Sequence, residues 1–440
     1  MKKIIKKVFI VHAVDTEGPL YESSKATFER ANELLNLKIK SQNKNSLEKL
    51  RKGIGYKGEL KKKIFKIFNS HLIEYNTNWK KIKQMLTKIS SKNFRNKIID
   101  DAGKQYVLTW HCVDHVNYKL NPRKREIGYG KIFKFYKNFI KKNNLRDKIG
   151  FHYHPMSTYK EAHRNATLWH RSENLYQILC RRIIDEKWFP VANRAGFHVE
   201  RPDSHLFLEQ YIPFDLSNTN KKEKKIINSE ALAASGWDWR RAPTNWELYN
   251  PSHDDYQIKG NCRRVIGRVL SINNRTESID QNEVYKAFKR AQNGKNTLLA
   301  VTSHDFRNIE TEILEFYSYI KKAKLRYPKV KFSFQDTVSA FQKTLNIKNK
   351  KEKLKLKISK VEKNSFKIKA IKGKVFGPQP FLAIKFKNNR YFHDNLDFSL
   401  KKNEWFYTLG PDTVKPKDVK IIAVGAADKN GNYHTTQIKI

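Results

Sequence analysis

The chain has 440 residues, 39% of them hydrophobic and 12% aromatic, which suffices for two or three packed domains and excludes a globally disordered chain. Its 18 glycines and 13 prolines exclude a fibrous or low-complexity protein. The formal net charge of +46 points either to an anionic partner or to a surface biased towards lysine. No compact Arg/aromatic cluster resembles a nucleic-acid module, so no specific nucleic acid is expected; peripheral contact with an anionic membrane surface stays open.

Lysines open the chain and give way to Val8-Phe9-Ile10-Val11. Lys6 and Lys7 break the apolar run and Asp15 and Glu17 follow it, so it reads as a first strand rather than a signal peptide. Residues 22–100 are lysine-rich and partly helical, with Trp79, Ile82, Met85 and Leu86 marking one amphipathic segment; they read as a helical insertion after strand one. Further strands are expected at 106–110, 149–154, 191–194, 211–214, 298–302 and 330–334. Helices lie between several of them, one carrying Ile132, Phe133, Tyr136, Phe139 and Ile140 on one face, another Ile313, Leu314, Tyr317 and Ile320. About seven strands alternating with helices give an α/β fold, a parallel barrel incomplete relative to the eightfold form.

Residues 221–285, rich in Trp and Arg, read as a second insertion. Lys348 to Lys355 is a linker-like charge run that divides a barrel at 1–345 from a module at 351–440. Beyond it Leu354, Leu356 and Ile358 alternate, as do Phe366, Ile368 and Ala370, with turns at Asn388-Asn389 and Asn430-Gly431. This reads as a separable all-β sandwich of about seven strands. Cys112, Cys180 and Cys262 form no CxxC, which fits a reducing compartment and a cytoplasmic protein. No apolar run approaches the roughly 20 residues that span a bilayer.

Four short segments end predicted strands, where barrel enzymes place their chemistry. In Val14-Asp15-Thr16-Glu17-Gly18, residues two apart point the same way, so Asp15 and Glu17 share a face. One carboxylate can bind metal while the other acts as base; a capped turn is the plainer alternative. In Gly150-Phe151-His152-Tyr153-His154-Pro155, His152 and His154 fall on one side, suited to a divalent metal or to a hydrogen-bonded core pair. Asn193-Arg194-Ala195-Gly196-Phe197 offers an arginine able to hold a carboxylate through two hydrogen bonds, and Tyr211 to Asp215 follows it. Val301-Thr302-Ser303-His304-Asp305 places a histidine where it can give a proton to a leaving group.

Taken in order, acid pair, histidine pair, Arg-Ala-Gly, Asp and late His, the chain resembles the polysaccharide deacetylase family, the NodB-homology domain of carbohydrate esterase family four. The likeness covers roughly residues 4–343 with both insertions allowed, and is greatest to the divergent branch of surface-polysaccharide and lipopolysaccharide biosynthesis proteins. It implies a (β/α)7 barrel of the NodB type and a metal-dependent hydrolase that removes N-acetyl groups from a saccharide. Asp15 would be the base, Arg194 its tether, His304 the acid, and Glu17, His152 and His154 the ligands of a divalent ion, with zinc the expected metal. Where the family has adjacent aspartates this chain has Asp-Thr-Glu, and its histidines stand two apart rather than four, so His163 is an alternative second ligand.

Trp110, in Trp110-His111-Cys112-Val113-Asp114-His115, is read as a substrate wall rather than part of a second ligand set. Asp215, Trp239 and Arg240 are the other substrate-binding candidates. The last two sit in a loop with Trp237, Asp238, Arg241 and Trp246, where aromatics beside charge suit a saccharide, anionic if Arg takes a phosphate or uronate. An O-deacetylase and a non-catalytic carbohydrate-binding scaffold are the rival readings.

Overall fold

A computed structural model describes residues 5–440 apart from 38, 40, 69, 163–167, 171, 222–237, 275–277 and 348–351. Eight parallel strands form one sheet: β1 (Lys7–Thr16), β2 (Leu108–Cys112), β3 (Lys148–Tyr153), β4 (Ala192–Ala195), β5 (Phe214–Asn218), β6 (Val265–Ser271), β7 (Thr297–His304) and β8 (Lys331–Phe334). β1 pairs with both β2 and β7, so β1 to β7 close into a seven-stranded barrel. β8 lies outside that ring and pairs only with the first half of β1, Lys7 to Ile10.

Strand β1 shows how the sequence dictates the layers. Val8, Ile10 and Val14 join one hydrophobic cluster with helices Trp79–Ser90, Lys131–Lys142, Gln281–Gln292 and Ile309–Arg326. Phe9, Val11 and Ala13 join the other, and their face is the one that carries Asp15 onward to the strand end. His12 is the polar exception on the first face. It is 1% exposed, with Nδ1 2.9 Å from the Tyr106 hydroxyl and Nε2 2.7 Å from Ser303 Oγ.

Burial, with the Arg95 charge adding to it, lowers His12 from the ordinary 6.5 to about 3. Between those values the unfolded chain binds a proton that the folded chain refuses, so stability falls as pH falls, by up to ~1.4 kcal/mol per pH unit. His12→Gln is expected to remove this slope. From pH 6.5 to 4.5 the native chain should lose ~2–3 kcal/mol more than the variant in urea unfolding; equal losses would place the His12 proton elsewhere.

Between β1 and β2 the chain is helical, as expected for the first insertion. Helices Ser24–Leu35, Lys44–Arg51 and Gly58–Ile67 build a small core of their own from Phe28, Ala31, Leu50, Ile64 and Ile67. Helix Trp79–Ser90 buries Ile82, Met85, Leu86 and Ile89, one face at helical spacing, against the barrel.

The second insertion is corrected. Residues 265–271, inside the stretch read as an excursion, are barrel strand β6, buried at every position. Arg264, Gly267 and Arg268 interrupt the apolar pattern that marks a buried strand. Both arginines are buried nonetheless, because Glu200 and Asp215 pair with Arg264 and Glu283 with Arg268. The fifth strand also lies later than read, at Phe214–Asn218.

Residues 355–439 form two four-stranded antiparallel sheets. One runs β13 (Asp397–Phe398), β14 (Glu404–Thr408), β10 (Ser365–Lys372), β9 (Lys355–Lys360). The other runs β12 (Tyr391–Asp394), β11 (Phe381–Phe386), β15 (Val419–Ala427), β16 (Tyr433–Lys439). Both sheets contribute to one cluster, with Ile368, Tyr407 and Trp405 from the first and Leu382, Ile422 and Val424 from the second. The opposite face of the second sheet (Phe381, Ala383, Ile421 and Ala423) belongs to the barrel's own cluster, against Ile178, Leu179, Ile183 and Phe189.

That sheet is therefore apolar on both faces, which explains the near-continuous run Ile421 to Ala427. Gly377 lies against the Gln210 carbonyl so closely that a methyl group there would overlap it. The separable tail read from the charge run does not fit this interface. A chain ending near Leu345 is expected to expose the Ile178–Phe189 face and to aggregate; recovery of a soluble monomer by gel filtration would contradict it.

Candidate metal centre

The parallel register brings five strand ends together, those of β1, β2, β3, β4 and β7. Asp15 pairs with His111 on one side and His304 on the other, and His152 pairs with Arg194. Each cross-strand pair shares a face, so the residues quoted from separate segments converge at the C-terminal mouth of the barrel. Asp15, Glu17, His152 and His154 are at most 4% exposed. The His304 side chain is 23% exposed and marks the opening.

Glu17, His152 and His154 each offer one ligand atom, all within 4.8 Å of one another. The two Nε2 atoms face each other at 2.9 Å. His152 Nδ1 lies 2.7 Å from the Arg194 carbonyl, which can only accept, so the proton sits on Nδ1 and Nε2 keeps its lone pair. Burial lowers His152 to about 4, against the pull of the Glu17 charge, and holds His154 well below the ordinary histidine range. Both shifts favour the neutral ring, the form that binds a metal.

Asp15 is set apart from this trio by Arg194, whose Nη2 stands 3.3 Å from Asp15 Oδ2 and 2.8 Å from His198 Nδ1. Burial raises the Asp15 carboxyl, opposed by Arg194 and His111. His304 Nε2 lies 3.9 Å from Asp15 Oδ2 and 3.8 Å from Glu17 Oε1. Burial first, then Arg307, holds His304 well below 6.5.

Buried polar atoms without a hydrogen-bond partner gather at this mouth. They include Asp15 Oδ1, His154 Nδ1, Thr302 Oγ1, and Nε and Nη1 of both Arg125 and Arg194. Native proteins leave few such atoms; the oxygens and the imidazole nitrogen can face a cation or water, whereas the guanidinium donors can face only water or an anion. Two facing imidazole nitrogens, joined by a hydrogen bond in which His152 Nε2 accepts, and a carboxylate are also a donor set of the His2Glu kind that holds catalytic zinc once the shared proton leaves. The residues present therefore fit a divalent ion.

Two residues that fix Glu17 carry no signal in the sequence reading. Arg125 Nη2 holds Glu17 Oε2 at 2.6 Å, and its guanidinium lies 4.9 Å from the Phe306 ring centroid. Asp305 accepts from the Glu17 amide at 2.9 Å, the Gly18 amide at 3.0 Å and the Tyr136 hydroxyl at 2.9 Å. Burial pushes the Asp305 carboxyl up to about 7 although these donors favour its charge. Gly196 is a third fixed point: a side chain there would overlap the Tyr153 carbonyl and the His154 ring.

The proposed substrate contacts fare differently. Trp110 is not a wall of the site. It is fully buried, stacked on Tyr136 at 4.7 Å, with its indole N–H donated to Asp147. Trp239 is also sealed, donating to the His198 carbonyl at 2.8 Å. Asp215 is 1% exposed and committed to Arg264. Arg240 is about half exposed and pairs with Asp238. His163 and Trp237 lie outside the described residues. No helix among the described residues is long and apolar enough to cross a membrane. Comparison with protein-family models, curated proteins and solved structures returns no match for this chain.

Proposed function

We propose that this chain is a metal-dependent hydrolase that removes acetyl groups from the nitrogen of an amino sugar, on a barrel of the NodB type with a sandwich-like accessory unit. The observation that carries the reading is the separation of two carboxylates on one strand end: Glu17 faces two imidazoles, while Asp15 is held by Arg194 beside them. Zinc is the ion we assign to Glu17, His152 and His154. When bound it supplies Lewis acidity to the acetyl carbonyl and lowers the pKa of water.

The chain's own groups do the rest. Asp15, raised by burial, accepts a proton from the attacking water. The water oxygen bonds to the acetyl carbon, the carbon–nitrogen bond breaks, and the leaving nitrogen takes a proton. We assign the donor role to His304, 3.9 Å from Asp15 at the opening of the site. Burial and the neighbouring Arg307 charge lower its proton affinity, so a proton received during turnover is readily passed on.

The test pairs metal content with acetate release from N-acetylglucosamine oligomers. The purified chain is expected to hold about one equivalent of zinc and to release acetate until chelated. His152→Ala should lose both while remaining folded, since His152 stands at the strand end and not in the packed layers. Stoichiometric zinc in that variant, or a zinc-loaded native chain that releases no acetate, would defeat the reading.

A further inference from the structure

Three loops that follow adjacent barrel strands lock together above the proposed metal site. The Tyr21 amide donates to the Arg123 carbonyl at 2.9 Å, tying the loop after β1 to the loop after β2. Lys119 and Leu120 amides both reach the Lys160 carbonyl (2.8 and 3.1 Å), and the Ala162 amide returns to Leu120 at 3.0 Å, tying in the loop after β3.

This rim is both aromatic and basic. Tyr159 is 69% exposed and Tyr21 38%. Lys119, Lys124 and Lys160 are exposed and make no ion pair among the described residues. Lys124 Nζ stands 4.6 Å from the Tyr21 ring centroid. Successive residues of one loop link the rim to the site, because Arg125 turns inward to Glu17 while Lys124 turns outward.

We infer that this rim binds an acidic saccharide, one bearing uronate or phosphate groups, and leads it to the site. The inference rests on the deacetylation reading for what happens at the end of the path. The exposed Tyr159 ring offers a stacking face to a sugar ring, and the rim lysines, Lys124 among them where it lies over Tyr21, offer charge to carboxylates or phosphates. A neutral saccharide would gain from the rings alone.

The test is calorimetric binding of a galacturonic acid hexamer and an N-acetylglucosamine hexamer to the metal-loaded full chain at 0.15 M salt. A triple Lys119→Ser, Lys124→Ser, Lys160→Ser variant is expected to bind the acidic hexamer about tenfold more weakly, and Tyr159→Ala about three- to tenfold. A control triple in the turns between the C-terminal strands, Lys401→Ser, Lys402→Ser, Lys417→Ser, should bind as the native chain does. The acidic hexamer should bind more tightly than the neutral one.

Equal losses in both triples would mean that diffuse charge does the work, and would overturn the rim. So would equal affinity for the two hexamers. It is also overturned if the rim substitutions release the chain from anionic lipid vesicles while leaving the acidic hexamer bound. Because binding is read without turnover, a chain that binds through the rim but releases no acetate defeats the deacetylation reading alone.

Discussion

Asp15→Asn should lower acetate release by ~100- to 10,000-fold while leaving zinc bound, since the amide keeps the shape of the side chain but cannot take a proton from water. The tether survives in part: Arg194 can still donate to the amide oxygen across the 3.3 Å that separates it from Asp15 Oδ2. Glu17→Gln should act first on the metal. It removes the anionic member of the ligand trio and leaves Arg125, now 2.6 Å from a carboxylate oxygen, without its counter-ion. Acetate release and zinc content, measured together for both variants, separate the roles. An active Asp15→Asn beside a dead, zinc-loaded Glu17→Gln would exchange the two carboxylates; two active variants would move the chemistry elsewhere.

Those two carboxylates were legible because strand periodicity is local: residues two apart share a face whatever surrounds them. The same rule placed His152 and His154 together. Most barrel strands were legible too, since a strand buried on both faces is a short apolar run, as in Val8 to Val11 or Leu298 to Val301. What failed were the inferences about which polar and aromatic residues a distant partner would seal into the interior; the placing of Arg194 beside Asp15 held. β6 was hidden because Arg268 within it and Arg264 just before it look like solvent, and only Glu200, Asp215 and Glu283, from elsewhere in the chain, make them interior. Trp110 and Trp239 looked like sugar platforms because charge stood next to them in sequence. Asp147 and the His198 carbonyl take their indole N–H groups instead and seal them in. Arg125 lay in what reads as an ordinary charged loop, and Asp305 followed His304 with no visible task; both act on Glu17 only once the barrel closes.

The largest stability effect is expected at Arg264, which the sequence reading passed over. Its side chain is fully buried, with Nη1 2.5 Å from Asp215 Oδ2, and Nη2 2.7 Å from Glu200 Oε2 and 2.8 Å from His205 Nδ1. Two carboxylates face one guanidinium, so burial and the Asp215 charge push Glu200 well above the ordinary carboxylate range. Burial works against the arginine's own charge, yet Glu200 and Asp215 outweigh it and hold Arg264 above its ordinary value. Arg264→Met keeps much of the volume but strands the Asp215 charge in the core. Removing one partner of a buried ion pair costs ~3–5 kcal/mol, because the other is left uncompensated. Adding Asp215→Asn to Arg264→Met should recover part of that loss by removing the stranded charge, whereas Asp215→Asn alone should destabilise. Urea midpoints of the three variants decide the matter. A cycle in which the two losses simply add would mean that Arg264 and Asp215 are independent.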